Sequence, residues 1–206
     1  MKHLKLFESF DDIDSICQNW GIENWTVNLD GTVDVNGNVD ISDKGLEKLD
    51  IKFGEVTGNF KCNDNKLISL EGSPKKVGRY FNCSNNQLTR LEGAPREVGG
   101  IFNCCGNKLT SLKGGPIEVG EFWCISNKLI SLEGCPIEVD HFICMYNPIS
   151  EIYNLFPNHK SFMDSLDYGY LRGTNIDRKR LLEALDEIGV YDVPDDFEYY
   201  KYVDGI

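Results

Sequence analysis

The side chains best suited to chemistry in this sequence are its eight cysteines and three histidines, His3, His141 and His159. A nucleophilic thiol needs a base within hydrogen-bond reach. Cys105 and His141 belong to different units of the repeat described below. At strand spacing they stand about 10 Å apart, too far for direct activation. His141 therefore reads as a surface residue. Structural zinc uses cysteine pairs with two to four residues between them; the only close pair here is Cys104-Cys105. In the run from Asp30 to Asp40, DGTVDVNGNVD, Asp34, Asn36 and Asn38 alternate as calcium ligands do. Gly37 is out of register with a calcium loop and no glutamate closes it. Hairpin turn chemistry accounts for the same residues. No glycine-rich phosphate loop is present, and Gly99-Gly100 reads as repeat geometry. The expectation is a chain with no catalytic residues, no metal and no cofactor, hence not an enzyme.

Five of the cysteines have a different explanation, because they share one slot of a repeat. The pattern is Phe-x-Cys-x-x-Asn-x-Leu-x-x-Leu-x-Gly-x-Pro, with Val three residues after the Pro. Phe falls at 60, 81, 102, 122 and 142, Cys at 62, 83, 104, 124 and 144, and Asn at 65, 86, 107, 127 and 147. The paired aliphatics are Leu67/Leu70, Leu88/Leu91, Leu109/Leu112, Leu129/Leu132 and Ile149/Ile152. A fixed period of about 20 residues is the signature of a solenoid, whose units bury their apolar faces only against their neighbours. Phe-x-Cys then predicts a short parallel strand with one face buried, and the cysteines stack as small hydrophobes. Free stacked thiols point to a reducing compartment. The Asn is placed where the chain bends, and its amide can satisfy backbone groups that the bend leaves unpaired. Gly72, Gly93, Gly114 and Gly134 supply backbone angles other residues avoid. Pro74, Pro95, Pro116 and Pro136 predict an extended, non-helical return.

Leu-x-Leu-x-x-Asn-x-Leu-x-x-Leu is the leucine-rich repeat consensus, and this array resembles it with Phe and Cys in the first two Leu slots. Units of this length with Pro and no helical return are similar to the short bacterial type. The stretches SLEGSPKKVGRYFNCSNNQLTRLEGAPREVGG and LDIKFGEVTGNFKCNDNKLISLEG resemble repeats of phage-encoded leucine-rich repeat proteins. The leading MKHLKLFESF is similar to short leaders of phage proteins. The resemblance implies a repeat solenoid with a parallel β-sheet on the concave face and an irregular, extended convex side. It also implies a phage protein acting in the host cytoplasm, with a packaged virion component as the alternative.

The flanks read as caps: residues 1–38 as a helix and β-hairpin, 39–152 as one degenerate plus five regular units, and 153–206 as a helical C-terminal cap. Leu4, Phe7 and Phe10 predict a first helix; Asp11, Asp12 and Asp14 open a second stretch, carrying Ile13, Ile16, Cys17 and Trp20. Trp25, Val27 and Leu29, then Asp30-Gly31, then Val33 and Val35, spell a hairpin. Val39, Ile41, Leu46, Leu49 and Val56 stand 21 residues before Phe60, Cys62, Leu67, Leu70 and Val77, with Lys44 in the Asn slot. In the C-terminal segment, Pro157–Leu166 predicts a short helix. Thr174 with Asp177 predicts the N-cap of another, with Ile176, Leu181, Leu182, Leu185 and Ile188 on its buried face.

Charge excludes some partners. Residues 1–50 carry 4 basic and 11 acidic side chains, 51–152 carry 11 and 11, and 153–206 carry 6 and 11. Nucleic acid and anionic membrane want a basic face, and no face here is basic. The N-terminus has no long apolar run, so neither a secretory signal nor a membrane span is expected. A protein partner remains. The exposed strand positions of the last three units gather Ile101, Cys105, Trp123, Ile125, Ile143, Met145 and Tyr146, while the first two units are polar apart from Tyr80. The expected partner-binding residues are Tyr80, Ile101, Trp123, Ile125, His141, Ile143, Met145 and Tyr146, a contiguous patch with binding-site composition. Two other readings stay open: residues 153–206 folding back over the patch as core, and a small ligand.

Overall fold

The computed structural model describes residues 4–136, 138–168, 170–172, 174–203 and 205. His3 and the side chains of Leu4, Phe7 and Phe10 lie outside what it describes. The chain is a parallel β-solenoid with few helices. The Phe-x-Cys segments form one strand column: β3 (Val39–Asp40), β5 (Phe60–Lys61), β7 (Phe81–Asn82), β8 (Glu97–Asn103), β9 (Glu118–Trp123) and β10 (His141–Ile143). Each Phe has the next unit's Phe as its Cα partner, from Phe60 through Phe142, and Val39 occupies that place in the degenerate unit.

The return path is more regular than the extended convex side expected from sequence. β2 (Val33–Val35), β4 (Phe53–Val56) and β6 (Lys76–Val77) make a second parallel column with the starts of β8 and β9, all in one 10-stranded sheet. Val35, Val56, Val77, Val98 and Val119 are its successive partners. In β8 and β9 the two columns run on as single strands, and their register shifts between Val98 and Ile101. Gly99-Gly100 of β8 there faces the single Gly120 of β9, so the repeat shortens from 21 to 20 residues at that bend.

Like side chains form columns inside. Phe60, Phe81, Phe102 and Phe122, the five repeat cysteines and all the paired aliphatics are buried. Each large apolar side chain so buried contributes on the order of 1.5–3 kcal/mol before chain entropy is counted. The cysteines do more than fill space. The Sγ atoms of Cys83, Cys104 and Cys124 donate to the carbonyls of Asn103, Trp123 and Ile143 in the next unit, at 3.4, 3.4 and 3.5 Å. Burial holds these thiols protonated, well above their ordinary pKa. All eight cysteines are free.

The Asn column ties the units together. Asn107 is typical: Nδ2 donates to the carbonyls of Cys83 (3.0 Å) and Cys104 (3.1 Å), and Oδ1 accepts from the Leu88 amide at 3.0 Å. Asn65, Asn86, Asn127 and Asn147 repeat the arrangement. At the next corner Gly134 has φ +88°, and a Cβ there would meet the Lys113 amide nitrogen at 2.5 Å. Only glycine fits that approach.

The flanks differ from expectation in detail. The N-terminal helix α1 (Leu4–Trp20) is continuous, without a break at Asp11. It ends in Gly21 at φ +69°, with the Ile22 amide on the Cys17 carbonyl. Trp25 and Asp14 join it to the hairpin of β1 (Trp25–Val27) and β2. Leu29 is fully exposed in the turn, not on the buried face. Beyond Ile152 come α2 (Ser150–Tyr153), α3 (His159–Ser165) and a 3-stranded sheet of β11 (Leu171–Arg172), β12 (Asn175–Asp177) and β13 (Lys201–Val203). Helix α4 (Arg178–Asp186) is capped by Asp177, whose side chain accepts from the Arg180 amide. Thr174 is therefore not the cap: Ile176 is spent in β12, and Ile188 is exposed. No helix among the described residues is long and apolar enough to cross a membrane.

Candidate functional site

Because each Phe-x-Cys strand buries alternate residues, the residues between them form rows across the outer surface. One row runs Tyr80, Ile101, Glu121, His141 and the next Asn82, Asn103, Trp123, Ile143, as the register of β7 through β10 dictates. A third follows the cysteines: Asn63, Ser84, Cys105, Ile125, Met145. The first units fill these rows with amides that bond along the strand stack. Asn82 Nδ2 donates to Asn63 Oδ1 at 3.0 Å, Asn85 Nδ2 to Asp64 Oδ1 at 2.9 Å, and Asn103 Nδ2 to the Tyr80 hydroxyl at 2.9 Å. Tyr80 thus belongs to the polar half of the surface.

The last units replace that lattice by carbon. Ile101, Trp123, Ile125 and Ile143 are half-buried, while Met145 and Tyr146 are 50% and 78% exposed. Trp123 directs its indole N–H to Glu121 Oε2 at 3.0 Å, so its polar atom is satisfied on the surface. His141 is exposed at the end of the Glu121 row, two rows and two units from Cys105; the register keeps them apart. Residues 153–206 reach the solenoid elsewhere: the Tyr200 hydroxyl donates to the Ile130 carbonyl, and the Glu198 and Tyr199 amides donate to the Glu151 carboxylate.

The slot before each ladder Asn is left-handed throughout. It holds Asp64, Asn85, Gly106, Ser126 and then Tyr146 at φ +57°. Asp64, Asn85 and Gly106 are residue types at home there, and Ser126 has a small side chain. A tyrosine is not at home there, and the conformation costs about 1–2 kcal/mol.

Asp34, Asn36 and Asn38 do not converge on a point. Asp34 Oδ1 accepts from the Glu55 amide (2.7 Å), Asn36 Oδ1 from the Thr57 hydroxyl (3.2 Å) and Asn38 Oδ1 from the Asn59 amide (2.8 Å). They continue the inter-unit bonding on the outside. Among the described residues no group of three or more His, Cys, Asp and Glu side chains is disposed to hold a metal ion.

One pairing had no sequence signal. His159, from α3, stacks on Phe142 with ring centroids 4.4 Å apart, and its Nε2 lies 3.1 Å from the Pro136 carbonyl and 3.9 Å from Cys135 Sγ. The carbonyl can only accept, so Nε2 carries the proton and cannot take one from the thiol. Burial also pushes the Cys135 thiol well up, and the pair is structural. His159 Nδ1 is buried without a partner, and burial lowers the imidazole pKa below its ordinary 6.5. The folded chain therefore binds fewer protons here than the unfolded one. The His159 contribution is complete above pH 6.5 and is lost as pH falls from there through the lower pKa of the folded state. His159→Gln should consequently show a smaller drop in thermal midpoint between pH 7 and pH 5 than the wild type; an equal drop would show that the imidazole does not titrate in folding.

No protein-family model matches this chain, and neither a curated protein nor a solved structure matches it.

Proposed function

We propose that this chain is a leucine-rich repeat protein of the short bacterial type that recognises another protein and carries out no reaction of its own. The binding surface is the outer face of the last three units, centred on Trp123. The observation that carries the reading is the change along one surface, from a bonded amide lattice to Trp123, Ile125, Ile143, Met145 and Tyr146. A satisfied lattice has little to offer a partner, whereas aromatic and Met side chains at the open end are what interfaces bury. Tyr146 adds weight. The repeat turn imposes this conformation in every unit, but placing a large exposed ring in it stabilises nothing within the chain, and such strain accumulates where function needs it. By its sequence resemblance the protein is phage-encoded and meets its partner in the bacterial cytoplasm. A virion component remains the alternative, and mass spectrometry of purified particles separates the two.

The test is capture from bacterial lysate. Trp123→Asp should reduce recovery of the partner at least tenfold, as loss of a hot spot of about 2 kcal/mol or more requires. The thermal midpoint should stay near that of wild type, because the indole is on the surface. Tyr146→Gly should weaken capture and raise stability together, since it removes both the ring and the strain. Undiminished recovery by Trp123→Asp would overturn this placement of the surface.

A further inference from the structure

We propose that the face around Trp123 receives an arginine of the partner protein, its guanidinium stacked on the indole and paired with Glu121. The proposal rests on the reading of that face as the binding surface and names what the surface takes. Trp20 and Trp25 pack on the core, and Trp20 stacks on Phe53 with ring centroids 6.5 Å apart. Trp123 is half-buried but does not pack on the core, and neither do its neighbours Ile101, Ile125 and Ile143. Among the described residues no aromatic ring and no cation stacks on the indole.

The ring is tied to a carboxylate that has capacity to spare. The indole N–H donates to Glu121 Oε2 at 3.0 Å, so a cation over the ring lies within reach of the same carboxylate. Among the described residues Glu121 Oε1 has no hydrogen-bond partner, and Glu121 is in no ion pair. His141 is its Cα partner in β10 but is not bonded to it. Asp140 brings a second unpaired carboxylate: a Cβ on Gly120, the residue before Glu121, would stand 3.7 Å from Asp140 Oδ2. No lysine or arginine of these units answers them. Residues 101–152 hold Lys108, Lys113 and Lys128 and no arginine. All three lysines fall outside the outward rows; Lys113 pairs with Glu133 at 2.7 Å, and Lys108 Nζ reaches Gln87 Oε1 at 3.5 Å.

These groups select arginine among possible guests. A wholly apolar segment laid on the patch would bury the Glu121 carboxylate without a counter-charge, which is costly. A cation removes that cost, and tryptophan is the best aromatic partner for one. The guanidinium is flat, so it can lie on the indole while its N–H groups reach the carboxylate in the plane. An ammonium is a more strongly hydrated point charge and has no such fork. Ile101, Ile125 and Ile143 around the pair exclude water, as the surroundings of a hot spot do. A second copy of this chain, with a net charge of -12, is poorly matched to a face bearing unpaired carboxylates.

The probe is the acetylated, amidated pentapeptide alanine–leucine–arginine–leucine–alanine, with citrulline or lysine in place of arginine as controls. Binding is followed by NMR on the Trp123 indole N–H. The arginine peptide should shift that resonance saturably. The citrulline peptide, alike in shape but uncharged, should bind at least tenfold more weakly, and the lysine peptide several-fold more weakly. Glu121→Gln keeps an oxygen for the indole N–H and should fold as wild type. It should bind the arginine peptide at least tenfold more weakly and the citrulline peptide unchanged. No response of Trp123 to the arginine peptide would overturn the proposal, as would equal binding of the arginine and citrulline peptides or no loss in Glu121→Gln. Capture from lysate separates this proposal from the reading beneath it. Recovery lost in Trp123→Asp but undiminished in Glu121→Gln would leave the surface standing and remove the arginine; undiminished recovery in both would remove both. A Trp123 shift that follows protein concentration without peptide, with a dimer in sedimentation, would overturn the proposal in favour of self-association.

Discussion

Asn107→Ala should lower the unfolding free energy by about 2–4 kcal/mol, since a buried amide left unpaired costs about 1–3 kcal/mol and each further hydrogen bond lost about 0.5–1.5 kcal/mol. The side chain is nearly buried and serves three backbone groups in two units: the Cys83 and Cys104 carbonyls and the Leu88 amide. Alanine leaves the Leu88 amide without a partner, while the Cys83 and Cys104 carbonyls each lose one of two donors and keep those from Asn86 and Asn127. Urea unfolding should show a lower midpoint with an unchanged slope. A loss under about 1 kcal/mol, the net worth of one ordinary hydrogen bond, would show that the column is ornamental to stability. Asn107→Asp separates donor from acceptor. A carboxylate still accepts from Leu88 but sets negative charge against two carbonyls. That variant should be weaker than alanine at pH 7 and recover on acidification, because folding favours the protonated form with its single O–H donor. Recovery toward low pH opposes the sign expected for His159, so the two effects are separable in one pH series.

What was legible in the sequence was whatever repeats. Phe102, Cys104, Asn107, Leu109 and Leu112 were assigned to the interior because the same types recur at a fixed period, and a solenoid turns period into columns. The outward rows followed from the same alternation, so Trp123 and Ile143 could be placed side by side in advance. What happens once was not legible. His159 meets Phe142 and Cys135 through the docking of α3, with no periodic signal to announce it. Thr174 looked like a cap because its local spacing suits one, but the pairing of β12 with β13 extends the chain as far as Asp177 and moves the cap there. Asp34, Asn36 and Asn38 imitated metal ligands because alternate oxygens suit both uses. Only the presence of a following unit decides that each bonds to a neighbour.

Phe102→Ala should cost about 3–5 kcal/mol as a core truncation, with up to about 1.5 kcal/mol more from lost ring contacts. The ring lies between Phe81 at 5.3 Å and Phe122 at 5.1 Å, in a run that continues through Phe142 to Tyr153. Its neighbours are held by their own strands and cannot collapse into the gap, which places the cost toward the upper end. Phe142→Ala is the matched comparison. Its ring is half-buried and backed by Tyr153 and His159, which belong to the short helices α2 and α3 and not to a strand of the column. It should lose about half as much, in keeping with the dependence of truncation cost on how well a site relaxes. The two should also differ in kind. Repeat arrays are stabilised by neighbour contacts, so a defect at the centre uncouples the halves, whereas one at the end frays the last unit. Phe102→Ala should therefore lower the urea slope as well as the midpoint, with amides before Phe81 and after Phe122 exchanging at different rates. Equal losses at the two positions, with a single sharp transition in both variants, would mean that the rings act as separate contacts and not as a continuous column.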